Sequence, residues 1–369
     1  MKIHKSRLDK ILVAKVFGRK SYLSPIPLTD VQSILINPIG DAVGDAVICT
    51  AYANQLRQMY PHAQIGIFCT NRNREIFMHC PSIDKLLDVS LQSYYKNRKK
   101  WDLLIDFYES FTSSTLIKNK ILAPKRIMIF KKRDKTYYNS STINNYDDYC
   151  HFSTNEHVSR HLNSSTFADY FTVPEPQIQF EFSETEKQLA TPIWQKFGNN
   201  CIRVFIAPQG SVPFKAVSPK EIATVLNKVK PEWRSKTTFV LCNTKNAPAF
   251  FADLKSLCAP DIQLFLAPKT TLKEYIALTA SANIVISVDS GTAHLACAAK
   301  VPLLSYYVCH NIKMWSPMSN ENVPHFMMVA STRTSRLDHE GYSWDERNSF
   351  PLSVGAHWLN RQLAQLAQK

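Results

Sequence analysis

Two aspartates follow the first apolar run of the sequence, SILINPIGDAVGDAVICT, each directly behind a glycine: Gly40-Asp41 and Gly44-Asp45. A carboxylate just past a strand end can take a proton from a substrate hydroxyl, or it can cap the helix that follows. A second stretch, IAPQGSVPFKAVSPKEI, runs from a strand into a loop with Gly210, Ser211 and Lys215. A loop lysine there can neutralise a diphosphate. The stretch is not a Walker A loop, because the second glycine and the Gly-Lys-Ser/Thr ending are missing. In the third, ISVDSGTAHLA, a strand ends at Asp289 and a helix begins near Ser290, Gly291 and Thr292, with His294 on the first turn. The unpaired amides and positive dipole of a helix start suit an anion, and the plain alternative is an N-cap by Asp or Ser. His157 and His161 stand four apart, which is metal-ligand spacing. No third ligand and no Asp-x-Asp pair accompanies them, so no metal is expected.

These motifs need elements to hold them. Short apolar runs (33–37, 65–69, 103–108, 126–130) alternate with helical patterns such as 45–59. The alternation restarts after residue 200, with runs at 202–208, 238–243, 263–267, 284–289 and 302–308 and helices at 218–229 and 271–282. Strands alternating with helices predict parallel sheets, here in two blocks. The proline-bearing FTVPEPQIQFEF and the charged SETEKQ form the expected linker, near 172–190. Ligands of open α/β sheets bind beyond the carboxyl ends of strands. Four of the nine glycines (40, 44, 210 and 291) fall at such ends.

Composition narrows the class. With 369 residues, 45% hydrophobic and 20% charged, the chain reads as a two-domain soluble protein. No run approaches the roughly 18 apolar residues of a membrane span, and residues 1–30 lack the apolar core of a signal peptide. Nine scattered cysteines without a Cys-x-x-Cys pair point to a reducing cytoplasm. The net charge of +14 concentrates at the N-terminus and in KNKILAPKRIMIFKKRDK, Lys118–Lys135. Such fields attract anionic membrane, an acidic substrate or nucleic acid; no nucleic-acid-binding signature is present, so nucleic acid is not expected. In KIHKSRLDKILVAKVFGRK, Leu8, Ile11, Leu12 and Val16 can share one helical face. That face either enters an anionic membrane surface or packs on the protein's own second domain.

Together the motifs resemble those of the heptosyltransferase family of lipopolysaccharide glycosyltransferases. GDAVICTAYANQLRQMYPHAQIGIF follows the family's Gly-Asp step, apolar helix and Pro-x-Ala-x-Ile. GSVPFK carries its loop lysine, and VDSGTAHLACAAKVP matches its Asp-Ser/Thr-Gly and histidine. The resemblance spans roughly residues 32–310. It implies an α/β protein of the GT-B type, two Rossmann-like domains with parallel sheets facing a central cleft. The expected division is a basic extension at 1–31, an acceptor domain at 32–185, a donor domain at 186–350 and a C-terminal helix at 351–369. It also implies an inverting, metal-independent transferase without a cofactor, moving heptose from ADP-heptose to a lipid-anchored, anionic inner-core acceptor at the cytoplasmic face of the inner membrane. Asp45, at the family's distance from Pro61, would be the base and Lys215 the diphosphate cation. Gly210, Ser211, Asn243, Asp289, Ser290, Gly291, Thr292 and His294 would hold the donor. Gly44 would turn the backbone so that Asp45 reaches the cleft, and with Asp41 would face the acceptor. Two features depart from the family: Ala216 and Val217 stand where a tryptophan usually follows the lysine, and Asn243–Asn246 stands where ADP-heptose users present a glutamate to the ribose. Another nucleotide-sugar donor is therefore the alternative, and a non-catalytic nucleotide-sugar-binding protein is a further one.

Overall fold

Runs rich in isoleucine, leucine, valine and phenylalanine form buried strands, and the chain divides into two compact units, Met1–Phe180 and Glu181–Lys369. The computed structural model describes residues 2–20, 24–151, 156–198, 202–210, 215–244, 246–308, 312–330 and 350–368, with side chains from residue 9 onward. Among the described residues no helix is long and apolar enough to cross a membrane.

The first unit runs α1 (Lys2–Phe17), β1 (Ser33–Asn37), α2 (Val43–Met59), β2 (Gln64–Cys69), α3 (Arg74–Met78), β3 (Lys85–Asp88), α4 (Leu91–Lys96), β4 (Leu103–Asp106), α5 (Ser113–Leu122), β5 (Arg126–Phe130) and β6 (Asp148–Cys150). Its six strands lie in the order β3-β2-β1-β4-β5-β6, all parallel. β1 is the central strand from which the chain winds first one way and then the other. In such a sheet the crevice beyond the ends of β1 and β4 is where ligands bind. The register sets Asn37 beside Asp106 at that point.

The N-terminal helix belongs to this unit. α1 packs on α5, with Val13, Ala14 and Phe17 against a core that includes Leu116, Ile121 and Ile143. Gly18 accepts a backbone hydrogen bond from Asn144, and Lys20 pairs with Asp147 at 2.7 Å. The face that packs on the first unit, Val13, Ala14 and Phe17, is thus not the one singled out in the sequence. Leu12 and Val16 remain 62% and 49% exposed.

The second unit runs α6 (Glu184–Lys187), α7 (Thr191–Gln195), β7 (Ile202–Ala207), α8 (Pro219–Asn227), α9 (Pro231–Arg234), β8 (Thr237–Leu241), α10 (Ala247–Leu257), β9 (Leu264–Leu266), α11 (Leu272–Ser281), β10 (Ile284–Val288), α12 (Gly291–Ala298), β11 (Leu303–Val308), α13 (Ile312–Trp315), β12 (His325–Ala330) and α14 (Leu352–Leu366). Ser218 and Thr271 start α8 and α11 with reciprocal caps to Glu221 and Glu274. The strand order β12-β11-β10-β7-β8-β9 repeats the first sheet's winding. Its reversal point lies beyond β7 and β10, the strands that lead into the Lys215 loop and the Asp289 turn.

Candidate active site

In the first unit, β1 ends at Asn37 and the loop behind it leads into α2. Ala42 is the extended N-cap of that helix and makes no side-chain cap. Asp45 therefore stands in a first turn whose amides favour a negative side chain. Its carboxylate lies over Gly40: a Cβ built on Gly40 would be 2.1 Å from Asp45 Oδ2. Gly40, Asp41 and Asp45 line a cavity of about 400 Å³. Gly44 is a buried residue inside α2 and, among the described residues, not one of the left-handed glycines, so it makes no turn. The close approach that lets Asp45 reach the cavity belongs to Gly40. Asp41 is bound on its outer side by Arg72, at 3.1 and 3.2 Å.

Sequence reasoning missed the buried charges behind this cavity, next to its lining residue Asn37. Asn37 Nδ2 donates to Asp106 Oδ1 at 2.5 Å, and Lys132 Nζ lies 3.0 Å from Asp106 Oδ2, all buried. Burial pushes the Asp106 carboxyl up, but the Lys132 and Lys118 ammonium groups and the Asn37 amide together hold it below the usual range. Lys118, on α5, lines the cavity with its ammonium 4.9 Å from the Phe68 ring centre. Burial pushes its pKa down to about 8. The expected basic field at Lys118–Lys135 is thus largely internal or neutralised. Lys118 and Lys132 are buried, and Lys125, Arg126 and Arg133 pair with Asp102, Asp148 and Glu109. Asp106, within the apolar run 103–108, was the only sequence signal for these buried charges.

His157 and His161 flank one turn of 3-10 helix rather than lying on an α-helix. The His161 ring stacks with Phe130 and Tyr52, and burial pushes its pKa down to about 3. No metal-binding group of three or more His, Cys, Asp or Glu occurs among the described residues.

In the second unit, Lys215 Nζ lies 2.7 Å from Asp289 Oδ2, where the loop behind β7 faces the turn behind β10. Burial raises the Asp289 carboxyl above its ordinary range while Lys215 pulls it down. Gly210 permits this approach, because a Cβ there would meet Lys215 Cβ at 2.9 Å and the Asp289 carbonyl at 3.3 Å. Ser290 is the N-cap of α12, accepting from the Thr292 amide, and its hydroxyl also meets that of Ser287 at 3.1 Å. Gly291 opens the helix, and the Thr292 hydroxyl meets the Tyr275 hydroxyl at 2.6 Å. His294 is buried, edge-on to Trp315. Asn243, behind β8, donates from Nδ2 to the Ala267 carbonyl at 2.9 Å. Ser211 lies outside the described residues. Thus Gly210, Lys215 and Asp289 meet at the start of α12, and Asn243 stands behind the neighbouring strand β8.

Two consecutive Rossmann-type units of the same winding, each with charged residues at its sheet's reversal point, define a GT-B glycosyltransferase architecture. The model of glycosyltransferase family 9 (heptosyltransferase) matches residues 96–336, well over half of the chain, and the protein belongs to that family. The match takes in Lys118, Lys215 and Asp289–His294, while Asp45 precedes it. The lipopolysaccharide core heptosyltransferase OpsX of Haemophilus influenzae is 24% identical over 292 residues, covering 76% of this chain and 80% of that protein. The ADP-heptose lipopolysaccharide heptosyltransferase II of E. coli superposes with a TM-score of 0.71 at 17% identity, over 90% of this chain and 99% of that one. The E. coli heptosyltransferase WaaC, solved with ADP, superposes with a TM-score of 0.64 at 14% identity, over 89% and 99%.

Proposed function

We propose that this glycosyltransferase moves heptose from ADP-heptose to a hydroxyl of a lipopolysaccharide inner-core acceptor, with inversion at the anomeric carbon. The observation that carries the proposal is the Asp45 carboxylate, held over Gly40 in a cavity at the reversal point of the first sheet. Asp45 takes the proton of the acceptor hydroxyl as its oxygen attacks the anomeric carbon. The bond from that carbon to the diphosphate breaks, and its electron pair stays on the phosphate oxygen. Lys215 and the amides of Ser290, Gly291 and Thr292 meet the charge that develops there. Asp289 holds Lys215 in place until the diphosphate arrives. In this reading a lysine and a helix start do the work that a divalent ion does in other transferases.

Asn243 offers its free Oδ1 near the nucleoside in place of the glutamate that the family resemblance leads one to expect. A different nucleotide sugar is therefore the second reading, and a non-catalytic binding protein is disfavoured by the presence of both Asp45 and Lys215. Incubating the enzyme and a core oligosaccharide with ADP-heptose, UDP-, GDP- and CMP-sugars, and weighing the products, decides among them. Heptose addition from the ADP sugar alone is expected. Hexose addition from another donor, or no product from any, overturns the assignment.

The outward side of α1 supports a cytoplasmic, membrane-peripheral location. Leu12 and Val16 are exposed there beside the exposed Lys15 and Arg19. Such a side presents apolar groups and cations together to anionic headgroups, where a lipid-anchored acceptor resides.

A further inference from the structure

The first unit has a second, smaller cleft where α1 and α5 end, and it shares no lining residue with the Asp45 cavity. Arg19, Lys20, Asn119, Lys120 and Asn145 line it, with no carboxylate among the described lining residues. Its interior is narrow, about 10 Å³, which is room for one water-sized group. The chain pairing of Arg19 with Asn144, and the bond from the Asn144 amide to the Gly18 carbonyl, set Asn145 beside the end of α1. Asn119 and Asn145 are each only 5% exposed. Asn119 Oδ1 and both polar atoms of the Asn145 amide are buried and find no hydrogen-bond partner among the described residues. Orphaned amides carry the cost of desolvation with no return. At the rim, Lys20 is matched by Asp147 at 2.7 Å, whereas Arg19 and Lys120 make no ion pair with a described residue. The helix ends favour cations for their own sake, so the charge alone assigns nothing; the buried amides carry the inference.

Resting on the membrane-peripheral reading of α1 above, we infer that this cleft holds the headgroup of an anionic phospholipid whose phosphodiester carries a free hydroxyl. The amides leave two acceptors and one donor unmet. A hydroxyl answers both kinds, donating to an amide oxygen and accepting from Asn145 Nδ2, whereas a bare phosphate oxygen only accepts. The hydroxyl fits the narrow interior; the phosphodiester does not and stays at the rim, within reach of the Arg19 and Lys120 cations. A water molecule alone would satisfy the amides and leave those two cations unmatched. Leu12 and Val16, exposed on α1 just before Arg19, supply the apolar contact that the adjoining acyl region calls for.

The test is co-sedimentation of the full-length protein with phosphatidylcholine vesicles that carry the same share of either phosphatidylglycerol or phosphatidylethanol. The two anionic lipids have the same phosphodiester charge, and only the first has headgroup hydroxyls. The wild type should bind the phosphatidylglycerol vesicles about 3- to 10-fold more tightly, the worth of one or two neutral hydrogen bonds. Asn145→Leu should bind both at the level of the wild type on phosphatidylethanol. Its melting temperature should be unchanged or raised, because an apolar side chain of similar size replaces an orphaned amide. Asn119→Leu carries the same expectation should that variant fail to fold. Lys120→Ala should weaken binding to both vesicles and keep the preference. Equal binding of the wild type to the two vesicles, or a preference that survives both asparagine substitutions, overturns the headgroup site and leaves the membrane reading standing. Binding to neither vesicle removes the membrane reading, and the inference with it.

Discussion

Asp45 sets a carboxylate oxygen where any side chain at position 40 would place its Cβ, 2.1 Å away. Glycine at position 40 thus clears the space that the Asp45 carboxylate, the proposed base, occupies. Gly40→Ala should push Asp45 aside and cut turnover while sparing nucleotide affinity. Asp45→Asn should cut it further, by the 10²- to 10⁴-fold that a general base contributes. Steady-state rates alongside ADP calorimetry check both. Retained activity in Asp45→Asn, with loss in Asp41→Asn, would move the base to position 41.

Lys215 and Asp289 form the corresponding pair in the second unit. Lys215→Ala should weaken ADP by about one to two orders of magnitude and leave Asp289 buried without its counter-charge. Because Lys215 is partly exposed, the accompanying stability loss should be only about 1–2 kcal/mol. Adding Asp289→Asn should restore the melting temperature but not ADP binding. Restored binding would show that the lysine does not touch the diphosphate.

If the acceptor enters the cavity that Asp45 and Lys118 line, its affinity should depend on pH through Lys118. Burial lowers its pKa to about 8, so it is charged below that value and neutral above it. The acceptor KM should therefore rise as pH passes about 8, and Lys118→Met should flatten that rise. The charged or titratable groups around it are Asp45 on α2, Asp41 behind β1, Asp106 ending β4, Tyr108 behind it, Lys132 behind β5 and Tyr94 on α4. The Tyr94 pKa is pushed up by burial, away from this window. A wild-type acceptor KM constant from pH 7 to 9 would contradict the prediction.

Deleting α1 should destabilise the first unit, since Phe17, Val13 and Ala14 pack on α5 and its neighbours. Membrane binding is tested more cleanly at the exposed positions. Leu12→Ser with Val16→Ser and Lys15→Glu should abolish sedimentation with anionic vesicles and change stability by about 0.5 kcal/mol or less per site. Undiminished sedimentation would place the membrane contact elsewhere.

Transfer should withstand EDTA, because a lysine and a helix start are proposed to meet the leaving charge. Activity lost on chelation and regained with magnesium would contradict that mechanism.

Much of this architecture is written locally. SILIN, RIMIF and IVISV are strands because consecutive apolar, mostly β-branched residues suit a strand buried on both faces. Ser218-x-x-Glu221 and Thr271-x-x-Glu274 start helices because a side chain three residues on closes the cap. The Gly-Asp and Asp-Ser-Gly turns were legible for the same reason: nearest neighbours decide them. The short edge strands β3, β6 and β12 were not, because KLLD, DYC and HFMMVA become strands only when a neighbour offers its free edge.

Charge is where tertiary structure had the final word. KNKILAPKRIMIFKKRDK reads as a basic surface, but burial depends on which face of α5 and which end of β5 meet the sheet. Folding places Lys132 against Asp106 and Lys215 against Asp289, pairs distant in sequence, and buries Lys118 at the cavity that Asp45 lines. The sequence by itself determined the two α/β units and the loops that carry Asp45, Lys215 and Asp289, through hydrophobic periodicity and turn chemistry. Which cations are at the surface and which are buried or neutralised was decided only by the fold, because desolvation and long-range pairing are set by neighbours in space.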